Sequence, residues 1–185
     1  MENKLNEEFI VKGFKITIIE KPQFGIIGFT RPVNLDGGMI SSFIRELTEN
    51  GQMKKLAETL QTNQQIWVCL SDIKCSEEKK YCKPCDLNCS GFQTRCTVCV
   101  EKTEKHNFSK FIDGELFTFD VPMSKWADFE VNENQSPTEL HQHDVYEIIN
   151  ETGYKWNSKI GLHFDNEHEW QPGKIMHFLL PVIKI

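Results

Sequence analysis

The sequence lacks a basic stretch, a long apolar run and a secretory leader, and each absence removes a class of function. No run of Lys and Arg exceeds Lys79-Lys80, and the formal net charge is −6 over 185 residues. A nucleic-acid binder needs a positive patch or stripe that displaces counterions from phosphates, so direct nucleic-acid binding is not expected. Nothing approaches the ~20 consecutive apolar residues that cross a bilayer as a helix, so no membrane span is expected. The opening residues, Met1-Glu2-Asn3-Lys4-Leu5-Asn6-Glu7-Glu8, are polar and acidic where a leader would be basic and then greasy. The expected location is the cytoplasm. Low-complexity segments and long linkers are missing too. What remains has 39% hydrophobic and 26% charged residues, the balance of a globular chain long enough for one domain or two fused half-domains.

Periodicity then sketches the elements. Phe14-Lys15-Ile16-Thr17-Ile18 alternates apolar and polar, as a half-buried strand does. Pro22 predicts a turn and Phe24–Phe29 the returning strand, with Gly28 marking a bulge or a close approach. Ile40, Phe43, Ile44 and Leu47 recur at the spacing of one helical face; Gly51 interrupts, and Met53, Leu56 and Leu60 continue the stripe. Ile66–Leu70 reads as a short buried strand with Arg95–Val100 as its antiparallel partner.

The second half repeats the order: Phe117–Val121 alternates, Pro122 turns the chain, and Trp126–Val131 returns. Ser136, Pro137 and Glu139 spell a capping box with proline at the first helical position. Val145, Ile148, Ile149 and Thr152 form the predicted inner face of that helix, and Gly153 its stop. Strands near Gly161–Phe164 and over Met176–Ile183 finish the half. The order strand–Pro–strand–helix–strand–strand thus occurs twice, about a hundred residues apart. The predicted fold is α+β: a single domain over 1–185 built of two pseudo-symmetric β-α-β-β units, about 12–105 and 112–185. Antiparallel sheets carry the helices on one side, and a central cleft lies between the halves.

Near the end of the chain, Glu167 and Glu169 stand between Trp156 and Trp170, just before the apolar strand Met176–Val182. A carboxylate among aromatic walls can hold a cationic, greasy small molecule, because charge and ring faces both attract cations. The plainer alternative is a solvated acidic turn between two strands. Trp126 and Trp170 are the expected ring walls, joined by Tyr154 from the end of the second helix; the alternative for each is plain core. His141 and His143, two apart on a helix, cannot share one metal. His163 and His177 read as satisfied strand histidines.

Six of the seven cysteines fall within residues 75–99. Cys82-Lys83-Pro84-Cys85 is the tight turn that places two thiolates on one tetrahedral metal, with Cys89 and Cys75 completing a set. The polar loop 71–93 has little to bury, and a structural zinc on Cys75, Cys82, Cys85 and Cys89 would pin it, with Cys96 as the substitute for Cys75. Exposed reduced thiols are the alternative. Cys96 and Cys99, three apart on a strand, point to opposite faces.

Ile18-Ile19-Glu20-Lys21-Pro22, Trp67-Val68-Cys69, Trp126-Ala127-Asp128-Phe129, Glu169-Trp170 and Leu180-Pro181-Val182 resemble, in order and spacing, the GyrI-like effector-binding domains. The resemblance runs from about residue 12 to 185. It implies a pair of β-α-β-β units around a cleft, similar to the ligand-binding halves of AraC-type and MerR-type multidrug regulators. It places the family's functional glutamate at Glu169, or at Glu167 if the register slips by two. Gln171 and Trp126 then stand where the family often carries tyrosines. The implied function is binding of an amphipathic, cationic small molecule by a stand-alone domain, with no cofactor required beyond the zinc argued above. Two alternatives stay open: a hydrolase of strained electrophiles using the same glutamate, and a protein-interaction module of the gyrase-inhibitor type with a protein partner.

Overall fold

The computed structural model describes residues 6–34, 38–60, 64–75, 92–103, 108–109, 111, 115–132, 135–136, 139–140, 143–166 and 174–185. Along the chain the described strands are β1 (Glu7–Val11), β2 (Phe14–Lys21), β3 (Phe24–Asn34), β4 (Trp67–Cys75), β5 (Phe92–Lys102), β6 (Phe117–Val121), β7 (Ser124–Val131), β8 (Tyr154–Trp156), β9 (His163–Asp165) and β10 (Met176–Lys184). The described helices are α1 (Met39–Glu49), α2 (Gln52–Ala57) and α3 (Val145–Asn150). The fold is α+β, as expected. None of the described helices is long and apolar enough to cross a membrane.

Contacts divide the chain into two compact units: Phe24–Val121, and a second made of Met1–Gln23 with Pro122–Ile185. These are not consecutive halves of the chain. Pro22 and Pro122 do not form the expected hairpins. Strand β2 pairs with β7 instead of β3, and β6 pairs with β3 instead of β7. Alternation identifies a strand but carries no address for its partner, which is why the sequence reading assigned the nearest one.

In the discontinuous unit, strands run in the order β1-β2-β7-β10-β9, with β8 also on β10, and these neighbours pair antiparallel. Strand β1 was not anticipated, since Glu7-Glu8-Phe9-Ile10-Val11 does not alternate. It is held by a two-residue hairpin whose Lys12 (φ 50) and Gly13 (φ 86) both take the left-handed region that matches strand twist. The capping box forms: Ser136 N–H donates to Glu139 Oε2 at 3.3 Å and Glu139 N–H donates to Ser136 Oγ at 3.4 Å. The helix is then restarted by Asp144, whose Oδ1 accepts from Tyr146 N–H at 2.9 Å and Glu147 N–H at 3.4 Å at the head of α3. Val145, Ile148, Ile149 and Thr152 are all buried, as the periodicity predicted, and Gly153 (φ 79) ends the run.

The contiguous unit has the order β4-β5-β3-β6. Its core gathers Phe29, Val33, Val68, Leu70, Cys96 and Val98 from the sheet against Phe43, Leu47 and Leu56 from α1 and α2, with Gly51 (φ 77) breaking the two helices apart. Arg31 clamps α1 to β3 through two 2.7 Å hydrogen bonds to Glu46 while its guanidinium lies 4.7 Å from the Phe43 ring centre.

Gly28 is a point of close approach in this sheet. A Cβ there would lie 2.0 Å from Val98 O and 2.8 Å from Cys99 Cβ, which confirms the close approach expected at this glycine. Neither neighbour is a flexible tip, so Gly28→Ala should cost about 1–3 kcal/mol, the range for overpacking a closed core. A urea titration checks this, and an unchanged midpoint would refute the close approach.

Candidate functional site

Register in the discontinuous unit decides which side chains share a face. Trp126 lies opposite Ile19 and Pro181, Asp128 opposite Thr17 and Leu179, and Glu130 opposite Lys15 and His177. Phe164 joins them through its pairing with Leu179. Neighbouring positions Ala127, Phe129, Val131, Phe178, Leu180 and Val182 point the other way and are buried. Trp156, opposite Val182, meets Tyr146 of α3 with ring centres 4.9 Å apart, so that second face is the helix-covered one. The first face is the candidate site.

Its apolar end is Trp126, fully buried, with its ring 5.6 Å from that of Phe164. Trp126 has no surface in contact with solvent, so a ligand would meet its ring only after the covering atoms move. Its polar end is a network. His177 Nδ1 and Asp128 Oδ1 are 2.9 Å apart, with the two side chains 29% and 20% exposed. The buried side chain of Asn166 fixes the strand beneath: His177 N–H donates to its Oδ1 at 2.7 Å. Lys15 Nζ donates to Glu130 Oε1 at 3.4 Å and lies 3.6 Å from Glu8 Oε1.

The hydrogen bond that His177 Nδ1–H donates to Asp128 raises the His177 pKa above its ordinary 6.5; burial opposes this, and the charge of Asp128 adds to the rise. The same kind of contact, from Glu130, raises Lys15. An imidazole oriented by a carboxylate at Nδ1 has its tautomer defined, which leaves its other nitrogen available to a partner. The expectation of a satisfied strand histidine at position 177 holds for Nδ1, through the bond to Asp128. It missed the pairing. The available signal was a polar residue at the head of an otherwise apolar strand, matched by alternating carboxylates at Asp128 and Glu130.

The other expected site residues fall elsewhere. Tyr154 is not at a helix end but opens β8, opposite Lys184, and so points to the helix-covered face, away from Trp126. It is buried, and its hydroxyl donates to Glu7 Oε1 at 2.7 Å while Lys125 Nζ and Lys184 Nζ stand 5.5 and 5.8 Å from its ring centre. Burial and then Glu7 raise the Tyr154 pKa; the same bond, from Tyr154, lowers that of Glu7. Tyr154 and Trp126 therefore do not line one site. Glu167, Glu169 and Trp170 lie outside the described residues, as do Cys82, Cys85 and Cys89. Cys75 ends β4 opposite Phe92. Cys96 is fully buried in the core of the contiguous unit, while Cys99 lies on the opposite face, against Trp67 and Gly28, as strand spacing requires. No group of three or more metal ligands gathers among the described residues.

No protein-family model and no curated protein matches the chain. Solved structures do. The protein SAV2435 bound to tetraphenylphosphonium aligns with a TM-score of 0.60 at 12% identity, over 91% of this chain and 93% of its own. An integron cassette protein from the mobile metagenome of Vibrio cholerae gives 0.53 at 12% identity, over 91% and 95%. The EcmrR C-terminal domain gives 0.52 at 13%, over 93% and 99%. At such identities the likeness is one of fold, and the fold is the GyrI-like one that the sequence resembles.

Because the folded-state pKa of His177 is raised, its contribution to stability is complete below the unfolded value of about 6.5 and is lost as pH rises through the folded value. The unfolding free energy of wild type minus that of His177→Gln should therefore shrink with rising pH above about 6.5. Asp128→Asn should cost about 1–3 kcal/mol under mildly acidic conditions, the range for losing a hydrogen bond to a charged partner. Urea melts across the pH range read both, and a difference that grows with pH would contradict the assigned direction.

Proposed function

We propose that the chain is a small-molecule-binding protein of the GyrI-like effector-binding type, acting in the cytoplasm. Its ligand is an amphipathic cation. Glu169 supplies the counter-charge, with Glu167 beside it, and Trp126 and Trp170 supply ring walls. The observation that carries this reading is fold likeness across 91% of the chain to a protein solved with tetraphenylphosphonium bound. The acidic balance of the chain and the carboxylates of the candidate face favour a cation over an anion. Tyr154, on the helix-covered face, is left out of the ligand contacts. A structural zinc on Cys75, Cys82, Cys85 and Cys89 belongs to the same reading; four thiolates leave no open coordination position, so it braces the loop and takes no part in binding.

Titration with tetraphenylphosphonium, followed by tryptophan fluorescence and calorimetry, tests the assignment. Wild type should saturate, and Glu169→Gln should weaken binding at least tenfold, equivalent to about 1.4 kcal/mol. Heat and fluorescence both silent in wild type would overturn the reading. Steady consumption of a strained electrophilic ligand would move the assignment to the hydrolase.

Protein purified without added metal should carry about one zinc for the four-thiolate set. Elemental analysis that finds only a small fraction of an equivalent removes the zinc.

A further inference from the structure

Asp128 holds His177 through Nδ1, and Asn166 holds the His177 backbone, so the ring is aimed from both ends. Its remaining nitrogen, Nε2, has no protein partner among the described residues, on a side chain that is 29% exposed. The charged groups around the ring are Asp128 and Glu130 from β7 and Lys15 from β2, with Glu8 from β1 behind Lys15. Three carboxylates thus face one ammonium when the imidazole is neutral. Such a cluster attracts a cation whether or not the imidazole is charged, but only the neutral ring offers a lone pair.

Resting on the reading of this face as the ligand face, we propose that His177 accepts a hydrogen bond at Nε2 from the N–H of a bound amine. The preferred ligand is then a lipophilic primary or secondary ammonium, and binding releases a proton from the imidazole. The balance is simple. The imidazolium gives its Nε2 proton to solvent, and the ligand N–H takes that position while Nδ1 keeps its own proton, donated to Asp128. A quaternary cation has no N–H to offer and feels only the field of the carboxylates. Proton and ligand compete for one nitrogen, so affinity for the protic amine rises with pH until the amine itself deprotonates.

Calorimetry with 4-phenylbenzylamine and its N,N,N-trimethyl analogue tests this, at about pH 6 and about pH 8 and in two buffers of different ionisation enthalpy. In wild type the primary amine should gain about tenfold in affinity over that range and show proton release; the trimethyl analogue should gain less. His177→Gln keeps an acceptor but cannot titrate, so it should retain a preference for the primary amine while losing both the pH dependence and the proton release. Equal pH dependence in wild type and variant overturns the proposal, and so does equal affinity of the two amines. The wild-type buffer comparison stands even if the variant fails to fold. If tetraphenylphosphonium binds but the primary amine shows no advantage, only this inference falls. If neither binds, the ligand reading falls and carries this one with it.

Discussion

The parity of strand β7 is the constraint on which the discontinuous unit depends. Ladders with β2 on one side and β10 on the other lock it in place, so Ala127, Phe129 and Val131 enter the core while Trp126, Asp128 and Glu130 turn to the other face. A slip of one residue would expose the apolar set, each large member of which contributes roughly 1.5–3 kcal/mol on burial. It would also drive two carboxylates into an apolar core at several kcal/mol each. No other register is competitive, and a rigid register is what holds His177 over Asp128.

That parity gives the candidate face a graded character. At one end two aromatic rings are packed against each other and shut away from water; at the other an imidazole and charged groups remain within reach of it. An arriving molecule would therefore meet polar groups before it met tryptophan. Tyr154 shows the same rule from the other side of the sheet, where it joins Glu7 of the first strand to the last.

Local chemistry in the sequence announced local structure well. The box at Ser136 and Glu139, the stops at Gly51 and Gly153 and the crowding at Gly28 each depend on residues that are neighbours in the chain or on a property of glycine itself. Partner choice was not legible. The two prolines suggested hairpins because the nearest strand is the commonest partner, whereas here each proline hands the chain from one unit to the other. The pair His177 and Asp128 was hidden for the same reason: 49 residues separate them, and only strand order brings them together. Tyr154 was misplaced because three residues of β8 are too few to show alternation.

The interrupted unit also has a history in synthesis. Lys15 and Glu130 face each other across a ladder but are 115 residues apart in the chain. At 5–20 residues per second, the hairpin of β1 and β2 leaves the ribosome roughly 6–23 s before its neighbour β7 exists. In that interval the whole of Phe24–Val121 emerges and can collapse on contacts of its own. Strands β1 and β2 are thus made before that unit and covered after it, and Phe14, Ile16 and Ile18 are the greasy edge that the nascent chain must keep from sticking elsewhere.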